Sequence, residues 1–123
     1  MQSNNGKKFE FEIPVKAISQ NWYVNKHWTV QRKIKEEFHL SVLEAKQKYK
    51  LQHITAYPVF FWYEFHVSDK RAHDLDNYAI TIKFIQDGLR HCGILEEDTI
   101  DHIDNIKMTG VRSDVDKIVV RLI

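Results

Sequence analysis

The sequence has only one cysteine, two prolines and four glycines in 123 residues. A lone thiol, Cys92, closes no internal disulfide and leaves no cysteine cluster for zinc, which fits a reducing, cytoplasmic setting. It reads as a small buried side chain rather than a nucleophile, since no base can be identified for it. No apolar run approaches the ~20 residues of a membrane-spanning helix, and Met1 to Lys8 is polar where a secretory signal would be apolar. No membrane partner is therefore expected. The seven histidines form no compact zinc-hydrolase pattern, and no serine sits in a nucleophile elbow. Two common hydrolase chemistries are thereby set aside.

What remains is ordinary in amount and uneven in placement. Apolar residues make up 43% and charged residues 28%, which fits one folded domain over 8–123 behind a flexible N-terminus at 1–7. The fifteen aromatic side chains, seven Phe, five Tyr and three Trp, are costly to expose, so several belong to a core or an interface. Net charge is only +1, but from Lys7 to Lys50 ten bases face five acids, and from Asp74 to Asn105 two bases face eight acids. A basic part suited to a polyanion and an acidic part suited to a metal is one reading of this division. A dipolar surface without function is the other.

Periodicity predicts the elements. Lys8 to Ile13 alternates as a half-buried strand ended by Pro14. Ser19 to Trp28 is expected as a loop whose amides, aromatics and Lys26 suit stacking and phosphate contacts, unless its rings are core anchors. Ile34, Phe38, Val42 and Ala45 follow a helical spacing from about Thr29 to Lys48, with a basic side facing phosphate or only water. Thr55 to Val67 is dense in aromatic and β-branched residues and reads as a strand, Tyr63, Phe65 and Val67 facing one way, Glu64 and His66 the other. A second helix follows Asn77 and stops at Gly93, and two strands, about 98–108 and 117–123, are expected to form a terminal hairpin. The expected fold class is α/β, with an α+β-like mixed sheet and two main helices.

The chemistry concentrates at His73-Asp74-Leu75-Asp76-Asn77. In an extended segment Asp74 and Asp76 point to one side, and two carboxylates held together repel unless a cation or proton intervenes. Mg²⁺ takes hard oxygen ligands and keeps waters and substrate phosphate, so two or three carboxylates suffice. Asp98, returned by the helix and turn, is the expected third ligand, with Glu97 beside it in a supporting role. Along the helix, residues 76, 83 and 87 fall near one stripe at 3.6 residues per turn. Lys83 is thus expected to meet the scissile phosphate, oriented by Asp87 through an i,i+4 ion pair. A turn or cap without metal is the plain alternative for any Asp-x-Asp pair.

At these residues the chain resembles the RusA family of Holliday junction resolvases, small homodimeric endonucleases often encoded by phages and prophages. The resemblance lies in Asp74-Leu75-Asp76-Asn77, Lys83 with Asp87-Gly88-Leu89, Gly93, and the return through Glu97-Asp98. Ser19-Gln20-Asn21-Trp22-Tyr23 and the order of elements along the whole chain support it. The resemblance implies a homodimer of RusA-like fold that cuts four-way DNA junctions by paired, symmetric incisions with Mg²⁺, or Mn²⁺ in its place. It implies Asp74, Asp76 and Asp98 as metal ligands and Lys83 as the catalytic lysine. Lys70, Arg71 and His73 would be the basic residues that meet DNA, with Lys26 added from the aromatic loop. The lysine comes three residues later than in the family pattern, Glu97-Asp98 replaces two aspartates, and His73 replaces an arginine. These departures leave a weak or inactive branched-DNA binder of the same fold as the alternative. A partner-binding α/β protein with solvated acids is the third class.

Overall fold

The computed structural model describes residues 9–123. The expectations for 1–7 and for Lys8 lie outside them. The elements are β1 (Glu10–Ile13), α1 (Gln20–Val24), α2 (Trp28–Tyr49), β2 (Val59–Val67), a 3-10 turn (Leu75–Tyr78), α3 (Ala79–His91), β3 (Ile103–Arg112) and β4 (Lys117–Leu122). The fold is mixed α and β, with a four-stranded sheet in the order β1-β4-β2-β3. β2 and β3 are parallel, whereas β4 is antiparallel to both β1 and β2.

Strict alternation makes β2 the spine of the sheet. Val59, Phe61, Tyr63, Phe65 and Val67 are buried on one face, and the intervening residues are half-buried on the other. Phe61 and Phe65 are fully enclosed, each contributing roughly 1.5–3 kcal/mol relative to exposure. Pro58 immediately precedes β2, where its missing N–H costs no ladder bond. α2 and α3 share the buried face. Ile34, Phe38, Val42 and Ala45 form the inward stripe of α2, and Ile82, Phe84, Ile85 and Leu89 that of α3. At their crossing, a Cβ on Gly88 would lie 3.1 Å from Val42 Cβ, so glycine sets the close approach. The opposite face of the sheet carries Trp62 with Lys107 and Arg121 over its ring, 4.4 and 4.6 Å from the centroid.

Three expectations change. Ser19 to Trp28 is not simply a loop: Ser19 accepts from the Trp22 N–H at 3.2 Å and caps α1. The helix expected from about Thr29 begins at Trp28 and is capped by His27, whose ring nitrogen accepts from the Thr29 N–H at 3.2 Å. The expected terminal hairpin is absent, because β4 inserts between β1 and β2 and never pairs with β3. Burial explains this: Ile118, Val119 and Val120 are all enclosed, as befits an interior strand rather than a hairpin arm.

Candidate functional site

β2 delivers the chain to loop 68–73, and the parallel pairing Val67↔Arg112 puts the end of β3 beside it. The two ends are tied into a knot. Arg112 donates from Nη1 to the Asp69 carbonyl at 2.6 Å and from Nη2 to the Arg71 carbonyl at 2.7 Å. The Ser68 N–H donates to Asp116 Oδ1 at 2.8 Å, and the Ser113 N–H to the Val67 carbonyl at 3.1 Å. Asp69 is the hub, with Oδ1 2.6 Å from His73 Nε2 and accepting from the Arg71 N–H at 3.0 Å. Its Oδ2 lies 3.5 Å from Lys16 Nζ and 3.8 Å from Arg71 Nη2. The His73 hydrogen bond, with the Arg71 amide and the nearby positive charge, holds the Asp69 carboxyl down at about 2. The loop therefore presents Lys70 and Arg71 outward from a fixed backbone.

Asp74 is extended, at φ −84° and ψ 117°, and Asp76 lies inside the 3-10 turn that follows. Their placement thus comes from a turn entry and not from strand alternation, because Leu75 already begins the turn. Neither carboxylate has an ion pair or a side-chain hydrogen bond among the described residues, and Asp74 does not cap the turn with its side chain. Both are exposed. α3 begins at Ala79 with Tyr78 in the capping position, so neither Asp76 nor Asn77 caps it.

Lys83 and Asp87 form the expected pair, Nζ to Oδ1 3.7 Å. Replacing part of the helix by a 3-10 turn keeps Lys83 near the azimuth of Asp76 but sets it roughly 11 Å further along the axis, about two turns away. Its ammonium leans toward Asp87, one turn further from Asp76. Arg90 continues the ladder, 3.7 Å from Asp87 Oδ1 and 3.7 Å from Glu97 Oε1. Sequence reasoning missed Arg90, although its i,i+3 spacing from Asp87 was a readable signal.

Asp98 lies elsewhere. α3 is the crossover between parallel strands, so it carries the chain back along the sheet to the start of β2. There the Ile54 N–H donates to the Ile94 carbonyl at 2.9 Å, the Glu96 N–H to Tyr57 Oη at 3.0 Å, and the Val59 N–H to the His102 carbonyl at 2.8 Å. The nine residues of β2 separate this end from Asp74 and Asp76, roughly 25–30 Å of extended chain. Within one chain, the return after α3 does not bring Asp98 to the other two acids. Accordingly, no group of three His, Cys, Asp or Glu side chains among the described residues is arranged to hold an ion. Glu96 meets His102 Nε2 at 3.2 Å and Glu97 meets Arg90, which leaves half-buried Asp98 as the acid of this cluster without a partner among the described residues.

Two clefts flank the 3-10 turn. One, about 200 Å³, is lined by His73, Leu75, Tyr78, Gly110 and Arg112 among others. The other, about 280 Å³, runs between Lys16, Ser19 and Trp22 on one side and Arg71, His73 and Tyr78 on the other. Lys26 lies over the Trp22 ring, with Nζ 4.6 Å from its centroid, and is not itself among the residues lining this cleft. Lys16, Asp69 and Arg112 were not anticipated as part of this region. Their roles arise from contacts between segments about fifty residues apart. No protein-family model matches the chain, and no curated protein matches it.

Proposed function

We propose that this protein is a Mg²⁺-dependent endodeoxyribonuclease that resolves four-way DNA junctions, as the resemblance to RusA resolvases implies. The observation that carries the reading is the pair of exposed, unpartnered carboxylates, Asp74 and Asp76, beside a backbone knot that presents Lys70 and Arg71. Free hard-oxygen groups next to fixed cations suit a metal that shares its shell with a phosphate. Bound there, Mg²⁺ would supply charge stabilisation at phosphorus and lower the pKa of the attacking water. Asp74 and Asp76 would hold the ion, Lys70 and Arg71 would fix the DNA backbone, and His73 would bridge the knot to the acids.

The position of Asp98 shapes the proposal. At the far end of β2 it can join Asp74 and Asp76 only when another copy presents it, so a homodimer with sites shared between subunits reconciles the three acids. A two-fold dimer would also give two sites for two opposed strands. Lys83, set two turns from Asp76 and engaged by Asp87, would act on the phosphate only after leaving that pair.

The same two features favour a second reading, a branched-DNA binder with little or no cleavage. Incubating labelled four-way junction and matching duplex with Mg²⁺ or EDTA, beside Asp76→Asn, separates them. Symmetric nicking of the junction alone, abolished by EDTA and by the variant, is the expected outcome. Tight junction binding without cutting moves the conclusion to the second reading. Absence of DNA affinity at low salt removes both.

A further inference from the structure

The two aromatic neighbours of α1 part company: Tyr23 is 6% exposed and packs on Phe84, whereas Trp22 is 43% exposed. Among the described residues, Trp22 differs from the other exposed rings in lining a cleft, where its apolar face is available to a flat partner. One cation, Lys26, already lies over its ring. The ring borders the 280 Å³ cleft, whose volume is that of roughly nine waters at ~30 Å³ each. That is room for a flat ring system and not for a duplex.

Both walls of this cleft are fixed. On the Trp22 side, the Ile18 N–H donates to Thr81 Oγ1 and Thr81 Oγ1 donates to the Ile18 carbonyl, both at 2.8 Å, which pins the segment to α3. On the other side, Tyr78 is buried with its ring 5.1 Å from that of Phe65, and His73 is held by Asp69. The charged groups lining the cleft, Lys16 and Arg71, are cations, with Asp69 behind them as their shared counter-ion. A flat apolar wall, a second aromatic and two cations at the rim are the chemistry of a base with its phosphate. The chain position adds a constraint: His73 directly precedes Asp74, and Tyr78 closes the turn that carries Asp76. Whatever occupies the cleft lies beside the acids.

We propose that this cleft receives one unpaired deoxynucleotide from the branch point, its base stacked on Trp22 and its phosphate held by Lys16 and Arg71. The proposal rests on the branched-DNA reading above and deepens it: selection of branched over linear DNA is assigned to a pocket that only an unstacked nucleotide can fill. In a continuous duplex, filling it costs unpairing and unstacking, a few kcal/mol in general. At a junction that cost is reduced.

The test is a cycle between the ring and the base, read by binding in EDTA so that cleavage plays no part. A single abasic site is walked through the nucleotides flanking the exchange point of a four-way junction, with wild type, Trp22→Ala and Trp22→Phe. Thermal unfolding verifies that each variant is folded. At one position, base removal and Trp22→Ala are each expected to weaken binding by about tenfold, of the order that losing a base-stacking aromatic costs. Combined, they should still cost about tenfold, and Trp22→Phe should restore most of the loss. Additive losses, or no position sensitive to base removal, overturn the proposal even if the junction is bound and cut. A cycle that couples as expected while Mg²⁺ elicits no cutting sustains the pocket and removes the nuclease reading. Equal binding of junction and duplex by wild type overturns the pocket as the source of selection.

Discussion

The two ends of the central strand carry acids in opposite circumstances. At the exit of β2, Asp69 gathers Lys16, Arg71 and His73, so Asp74 and Asp76 are left free on a turn beside them. At the entrance, Glu96 lies 3.2 Å from His102 Nε2 and Glu97 3.7 Å from Arg90, whereas Asp98 has no ion pair among the described residues. Each end therefore spends some acids on structure and leaves others available. Proximity in sequence does not say which, and the acid that is one helix away along the chain is a full strand away in space.

The largest effect is expected from asking whether the two ends act together. Asp76→Asn and Asp98→Asn, each alone, should lower junction cleavage by roughly 100-fold or more, since losing a ligand costs at least as much as losing its supporting contacts. Mixing the two inactive variants decides the geometry. With sites shared between subunits, a mixed dimer keeps one intact set of acids and regains single-strand nicking. With sites confined to one chain, the mixture stays inactive. Recovery of nicking would join the two ends, and its absence would keep them apart.

Stability changes should rank the two ends differently. Arg112→Ala removes two hydrogen bonds from a charged donor to fixed carbonyls and is expected to cost about 1–2 kcal/mol, with earlier proteolysis in loop 68–73. Arg90→Ala breaks two 3.7 Å ion pairs near the surface and should cost less than about 1 kcal/mol in a denaturant titration. Equal losses would erase the distinction between a hydrogen-bonded knot and a charged ladder. The remaining prediction concerns the acid limb, at Asp69. Its carboxyl is held at about 2 against an ordinary 3.8, so its contribution is complete above 3.8 and disappears as pH falls toward 2. Asp69→Asn should flatten that acid limb of the unfolding profile relative to wild type.

Local pattern carried much of the fold. α2 was legible because Ile34, Phe38, Val42 and Ala45 repeat at helical spacing, and β2 because five buried residues alternate with four half-buried ones. The Lys83 and Asp87 pair was legible for the same reason, being a contact within one helix. α1 was not, since five residues show no period and only Ser19 signals the cap. The place of β4 was hidden because strand order follows from pairings such as Phe65↔Ile118, more than fifty residues apart. The hub role of Asp69 and the support from Arg112 were hidden likewise, and the end of the sheet reached by Asp98 follows only from the parallel pairing of β2 and β3.

That strand order has a consequence for self-assembly. The described sheet has a short border, β1 with four residues, and a long one, β3 with ten. The long border is a template on which a foreign strand can be laid, and the short one offers little purchase. Among the described residues, strand addition therefore has one long border to use. Two copies joined along β3 would consume it in both, with the four described residues of β1 as the outer borders, which favours a pair over a filament.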